Sequence, residues 1–313
     1  MKTVLLTGAS GFIGRHCIPL LTKQGYEVHA LTSRKDPQHD PNVSWHTIDL
    51  LNPDLVHNAM EAICPTHLLH LAWYTVPGKY WSAIENIQWL KTSLNIVEEF
   101  SGVGGERIVS AGTCAEYDWE YGYCSEHITP LKPQTLYGIS KQSFHALSQE
   151  ILKTANISNA WGRIFFLYGP FENQARLVPS IINALLNGKP APCTIGYQIR
   201  DYLFVEDIAD AFVRLLDSPV TGSVNIASGK PVSIREIIEL IGTKIGHEDL
   251  IRYGKLPTSS SEVPLIVADN RRLLYEVGWH QQNDLDTGLD KTIDWWKKVF
   301  DEEKRVKRRS PHK

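Results

Sequence analysis

Cysteine, surplus charge and long apolar runs are what this chain has least of. Its five cysteines (Cys17, Cys64, Cys114, Cys124, Cys193) are odd in number, lie far apart and form no C-x-x-C pair, so neither a disulfide framework nor a zinc site follows. The formal net charge of −3 gives no electrostatic case for nucleic acid or membrane as a partner. No run of apolar residues is long enough to cross a bilayer, no charged leader precedes the first strand, and there is no internal repeat or low-complexity tract; the expected compartment is the cytoplasm. What is present is the composition of a globular protein, 42% hydrophobic and 21% charged over 313 residues. That length fits one large α/β unit, or one such unit with a smaller lobe.

The chain is organised around residues 3–16. Val4-Leu5-Leu6 reads as a strand, glycines follow at 8, 11 and 14, and a helical pattern runs on through Ile18, Leu20 and Leu21. Gly8 permits a tight turn, Gly11 lets backbone N–H groups approach a pyrophosphate at the helix N-terminus, and Gly14 lets the helix pack on the strand. Three glycines can also make a plain loop. Their place after a strand, before a helix and at the head of a long strand–helix alternation points to a dinucleotide site, with Ser10, Phe12 and Ile13 in the same turn.

The second strand, Gly25 to Thr32, ends where NAD sites carry a carboxylate for the ribose hydroxyls and NADP sites a cation. Here the acidic place is Thr32, followed by Ser33 and Arg34, which suits a 2′-phosphate; a solvated surface Arg is the alternative. Val43 to Ile48 makes a third strand, ending at Asp49-Leu50, where the carboxylate either meets the adenine amino group or caps the next helix. In the fourth strand, His67 to Ala72, the two histidines fall on opposite faces and make no metal pair. The loop Trp73 to Trp81 is crowded with aromatic rings that either wall a pocket or pack against a lobe or a second subunit.

Tyr137-Gly-Ile-Ser-Lys141 opens a helix that continues through Phe144, Leu147, Ile151 and Leu152. At i and i+4 the phenol and the ammonium share a helical face. An ammonium there, with a nicotinamide cation beside it, lowers a tyrosine pKa from about 10 toward neutrality, which makes Tyr137 a proton donor or acceptor.

With these residues the sequence resembles the extended short-chain dehydrogenase/reductase family, in its sugar-nucleotide epimerase, dehydratase and ketoreductase branch. The resemblance is carried by Thr7-Gly-Ala-Ser-Gly-Phe-Ile-Gly14, Asp49-Leu50, His70-Leu-Ala72, Asn86, Ser110-Ala-Gly-Thr113 with Tyr117, Tyr137 to Lys141, Tyr168-Gly-Pro170, the stretch Arg200 to Asp207, and Val224 to Ala227. It implies a Rossmann-type doubly wound parallel sheet over 1–170, with return segments about 200–228. A discontinuous substrate lobe is expected from 171–199 and 229–300, then a frayed basic tail over 301–313. It also implies Thr113, Tyr137 and Lys141 as the catalytic set, Leu71 and Ala72 beside the cofactor, and Trp73, Thr113, Arg176 and Arg200 toward the substrate. A homodimer through the helix carrying Tyr137 and the preceding one is implied too, with Ile87, Trp89 and Phe144 serving either the interface or the core.

Departures from the family pattern narrow the reading. Dehydratases follow the catalytic Thr with Asp-Glu; here Cys114 and Ala115 stand there. Phe166 replaces an Asn that contacts the nucleotide diphosphate, and an Arg near the C-terminus is replaced around Ser259, while Arg200 and Arg176 remain to pair with a diphosphate or to form ordinary ion pairs. The expectation is an NADPH-dependent reductase of the 4-keto group of a nucleotide-linked deoxysugar. An NAD-dependent epimerase is the alternative within the family, and a catalytically silent cofactor-binding sensor or scaffold the alternative outside it.

Overall fold

Leu5 of β1 (Thr3–Thr7) is buried in one apolar cluster, and its neighbours Val4 and Leu6 in another. A strand buried on both faces needs helices on both faces. The computed structural model describes residues 2–34, 40–258 and 262–309. Its main sheet has seven strands, all parallel, in the order β11 (Gly222–Ile226), β7 (Ser158–Ile164), β5 (Arg107–Thr113), β4 (His67–His70), β1, β2 (Glu27–Thr32), β3 (Val43–Thr47). On the Val4 side α1 (Gly14–Lys23) and α6 (Val205–Asp217) bury Cys17, Leu21, Phe212 and Leu215. On the Leu5 side α2 (Pro53–Ile63), α3 (Glu85–Gly102) and α4 (Leu136–Thr154) bury Met60, Ile96, Phe100, Phe144 and Leu152. This is the expected Rossmann-type sheet. Strand order reverses between β1 and β4, so a crevice opens at their C-terminal ends.

A second sheet runs β12 (Pro231–Ser233), β10 (Ile199–Phe204), β14 (Leu265–Ala268), β6 (Tyr123–Cys124), with β8 (Phe166–Tyr168) also paired to β10. Beside it lie the short pair β9 (Ala191–Pro192) and β13 (Ile251–Arg252), and helices α5 (Leu177–Leu186), α7 (Ile234–Ile245) and α8 (Leu285–Arg309) around Ile181, Ile238, Leu289 and Trp296. This second sheet thus joins β6 and β8, which lie within 1–170, to β10, β12 and β14. Aromatic pairing explains the choice: Tyr202 and Phe204 of β10 lie opposite Phe166 and Tyr168 of β8, with ring centroids 5.5 and 5.7 Å apart for Phe166–Tyr202 and Tyr168–Phe204.

The structure chooses between two pairs of alternatives and differs from one expectation. The side chain of Asn52, not Asp49, caps α2, accepting from the N–H groups of Asp54 and Leu55, while Asp49 accepts from the Leu51 N–H and stays exposed. Phe144 is fully buried against His70 and Trp161, a core residue unavailable to a subunit interface. Helix α8 continues to Arg309 through most of the stretch expected to fray; the Lys304 ammonium covers the Phe300 ring at 4.0 Å, and basic residues in the last turns suit the negative end of a helix. Residues 310–313 lie outside the described residues, as does the Ser259 position. No helix among the described residues is long and apolar enough to cross a membrane.

Candidate active site

The glycine turn is a cradle that side chains would fill. Gly8 has φ +69°, Gly11 donates to the Gly8 carbonyl at 2.9 Å, and a Cβ on Gly14 would overlap that same carbonyl. A Cβ on Gly8 would stand 2.9 Å from the Ala72 nitrogen. Helix α1 begins without a side-chain cap, which leaves its first N–H groups for an anion. The turn is fixed from below by Thr7, whose hydroxyl oxygen accepts from the Leu71 and Ala72 N–H groups at 3.2 Å each and lies 2.8 Å from His70 Nδ1. His70 Nε2 meets the Ser93 hydroxyl at 2.9 Å. Burial, with the Lys141 charge nearby, pushes this imidazole down to about 3, so it is neutral and structural. The cradle fits the pyrophosphate of a dinucleotide.

At the end of β2 Ser33 and Arg34 follow Thr32, beside Ser10 of the glycine turn; no contact joins Asp49 or Leu50 to this turn among the described residues. The hydroxyls of Ser10 and Thr32 are 2.8 Å apart, and Thr32 also accepts from the Arg34 N–H. Sequence reasoning passed over Arg15. Its guanidinium donates to the Gly11 and Ser10 carbonyls at 3.1 and 2.9 Å, and its pKa is lowered by burial and by the charge of Arg34. The signal for it was its place directly after the third glycine. Ser33 and Arg34 are exposed, and Leu50 packs against the α2–α4 side of the sheet.

Thr113, Tyr137 and Lys141 come together. Thr113 ends β5, accepts from the Ala115 N–H, and donates its own backbone N–H to Glu116 at 2.8 Å. Glu116 is fully buried and also takes the Arg163 Nε at 2.7 Å and the Trp161 Nε1 at 3.0 Å, so a closed ionic network sets the end of β5. Tyr137 sits in the first turn of α4, capped by Thr135. Its phenol is close enough to Thr113 to favour ionisation, but burial and the neighbouring Tyr80 outweigh this and push its pKa well above the usual tyrosine value. The protein's own groups do not by themselves lower this pKa; the lowering expected from the sequence also needs the nicotinamide cation. Lys141 is 3% exposed, donates to the Ala111 carbonyl at 2.8 Å and stands 3.8 Å from the centre of the Trp73 ring; burial pushes it down to about 7.

Glycine turn, Thr113, Tyr137 and lobe share one cleft of about 480 Å³, of the size that holds small ligands; buried Lys141 does not line it. Gly8, Gly11, Phe12, Ile13, Gly14, Leu71 and Ala72 line its cofactor side, and Thr113 and Tyr137 its middle. Trp73, Tyr80 and Trp81 from the aromatic loop wall it. The loop is pinned by buried Asn86, which accepts from Trp73 Nε1 and donates to the Tyr80 and Ala83 carbonyls. Arg176, at the N-cap of α5, reaches the cleft and lies 5.1 Å from the Tyr80 ring centre. Arg200 does not line it: it is buried behind Phe166, bonded to Glu262 at 2.6 Å and to the Val263 and Ile199 carbonyls. Its charge is already answered, which removes it as an open diphosphate contact. Glu172, Tyr202 and Trp119 also line the cleft and were not read from the sequence. Among the described residues no group of three or more His, Cys, Asp or Glu side chains is placed to hold a metal.

A Rossmann sheet whose glycine cradle opens beside a Thr, Tyr and Lys cluster defines a dinucleotide-dependent enzyme of the extended short-chain dehydrogenase/reductase type. The family model "NAD dependent epimerase/dehydratase family" matches residues 4–227, and the chain belongs to that family. It is 27% identical over 308 residues to the CDP-abequose synthase of Salmonella typhimurium, covering 93% of this chain and 97% of that one. It is 24% identical over 331 residues to the UDP-glucuronate 4-epimerase of Thermodesulfobacterium geofontis, covering 98% and 100%. Its fold is shared by the Thermus thermophilus UDP-glucose 4-epimerase in complex with NAD, at 23% identity and a TM-score of 0.81 with 95% and 99% of the two chains covered. These relatives are sugar-nucleotide enzymes.

Proposed function

We propose that the protein is an NADPH-dependent ketoreductase of a nucleotide-linked sugar, acting on the 4-keto group of a deoxysugar. The observation that carries this reading is the cationic end of the cradle. Arg15 and Arg34 interact there, and Thr32 stands where NAD-preferring sites place a carboxylate. Two like charges held together favour a dianion such as a 2′-phosphate. The bound nicotinamide supplies the hydride. Tyr137, protonated at neutral pH because of its burial, gives its proton to the forming alkoxide, and the Thr113 hydroxyl, whose oxygen is fixed by the Ala115 N–H, donates the second hydrogen bond. Lys141 keeps one N–H on the Ala111 carbonyl and offers the others to the ribose. Dehydration would need an acid and a base at Cys114 and Ala115; both are buried, and burial pushes the thiol far up. The nucleotide diphosphate has Arg176 and the N-terminus of α5 as its cationic contacts.

The second reading is an NAD-dependent nucleotide-sugar epimerase. It draws support from the epimerases among the relatives and from the Thermus neighbour's complex with NAD.

Calorimetric titration of nucleotide-free protein with NADPH and NADH separates the two. The expected result is a clear NADPH preference, and Arg34→Ala is expected to weaken NADPH far more than NADH. Tightly retained NAD after purification, or equal losses for the two cofactors in the variant, would replace the reductase with the epimerase.

A further inference from the structure

Between β8 and α5 the chain turns through Gly169-Pro170-Phe171-Glu172. Phe171 has φ +70°. That left-handed conformation is unfavourable for a bulky residue and persists where the surroundings dictate it. Its ring is held by the Arg15 guanidinium, 4.0 Å from the ring centre, and by Trp295 of α8 at 4.7 Å. The turn is closed by the Glu172 N–H on the Gly169 carbonyl at 3.3 Å.

This turn directs Glu172 inward. Phe171 and Asn173 on either side are exposed, whereas Glu172 is 8% exposed and lines the cleft. Among the described residues its Oε2 has no hydrogen-bond partner, although leaving a buried carboxyl oxygen unanswered is costly. The charged and titratable groups facing it are Arg176 from α5 and Tyr202 from β10. Burial pushes the carboxyl up to about 8 against the pull of Arg176 and of the Gly169 backbone. Near neutral pH it is mostly the neutral acid, which both donates and accepts. Arg176 stacks on Tyr80, and Tyr80 meets Tyr137 edge-on at 4.9 Å, so Glu172 lies beside the path from the catalytic phenol to the cation that faces a diphosphate. That is the stretch a sugar ring spans.

We propose that Glu172 is a specificity-determining residue of the sugar subsite, its unpartnered carboxyl oxygen binding a hydroxyl or amino group of the sugar beside the linkage held by Arg176. The proposal rests on the nucleotide-sugar reading above. A site built this way rejects an analogue lacking that polar group, because the carboxyl is then left buried and unpaired.

The test is calorimetry on protein saturated with whichever reduced cofactor it prefers, using UDP, CDP, dTDP and GDP and their glucose conjugates as probes. Wild type is expected to bind one conjugate more tightly than its free diphosphate. In Glu172→Leu the conjugate is expected to weaken about tenfold, with the free diphosphate and the cofactor unchanged. Glu172→Gln, which still donates and accepts, is expected to recover most of the loss. Glu172→Ala replaces the leucine variant if that one no longer takes up cofactor. An unchanged conjugate affinity in the variants, or an equal loss for conjugate and free diphosphate, overturns the proposal. Failure of wild type to bind any of the eight probes overturns the nucleotide-sugar reading itself, and the proposal with it.

Discussion

At the scale of single residues, the site separates groups that do chemistry from groups that hold them. Tyr137→Phe removes one hydroxyl and leaves the ring packed against Tyr80 and Trp81. Turnover is expected to fall by orders of magnitude with cofactor affinity nearly intact, and steady-state kinetics beside a cofactor titration would show comparable turnover if Tyr137 took no part. The sequence exposed Tyr137 and Lys141 by their spacing along one helical face, and Thr113 only through the family resemblance. It concealed Arg200's condition, since the partner Glu262 is remote in sequence and meets it only where β10 and the segment before β14 lie side by side. Glu172 was hidden for another reason: nothing in the letters marks a phenylalanine that adopts a left-handed turn.

At the scale of elements, legibility followed local rules. Helix α5 spans the apolar stretch Leu177 to Leu186 and stops at Asn187-Gly188, and Ser233 caps α7 by accepting the Glu236 N–H. The strands of the second sheet were harder to place, because β6 and β8 are only two and three residues long and their pairing is settled by partners far along the chain. The α2 cap offers a clean test. Asn52→Ala removes the acceptor for the Asp54 and Leu55 N–H groups and is expected to cost about 1 kcal/mol, read as a lowered urea midpoint with an unchanged slope. Asp49→Ala, whose carboxylate serves only the Leu51 N–H of the turn before it, should cost less.

At the scale of the whole molecule, buried histidines couple stability to pH. His70 has its pKa depressed to about 3, and His145, stacked 4.7 Å from Trp161, to about 4, both chiefly by burial. A depressed value means that the unfolded chain binds the proton first. The stabilising contribution is therefore complete above the ordinary value of 6.5 and is lost as pH falls toward the folded values. Between pH 7.5 and 5.0 His70 alone is expected to withdraw about 2 kcal/mol. Urea unfolding at the two pH values should show that drop, and His70→Gln should show a smaller one; equal drops would mean that the imidazole is not kept neutral.

The Phe171 stack bears on time as well as on shape. Arg15 belongs to the cofactor cradle, Trp295 to the last helix of the lobe, and one ring touches both. A ligand that fixes Arg15 also steadies the segment carrying Glu172 and Arg176, so the sugar half of the cleft takes its final form only after the other half is filled. For the ketoreductase proposed above, the dinucleotide and the sugar substrate are then expected to add in compulsory order, dinucleotide first and last to leave. In product-inhibition kinetics the oxidised cofactor should compete with the reduced one alone, and a random-order pattern would show that the two halves of the cleft fill independently.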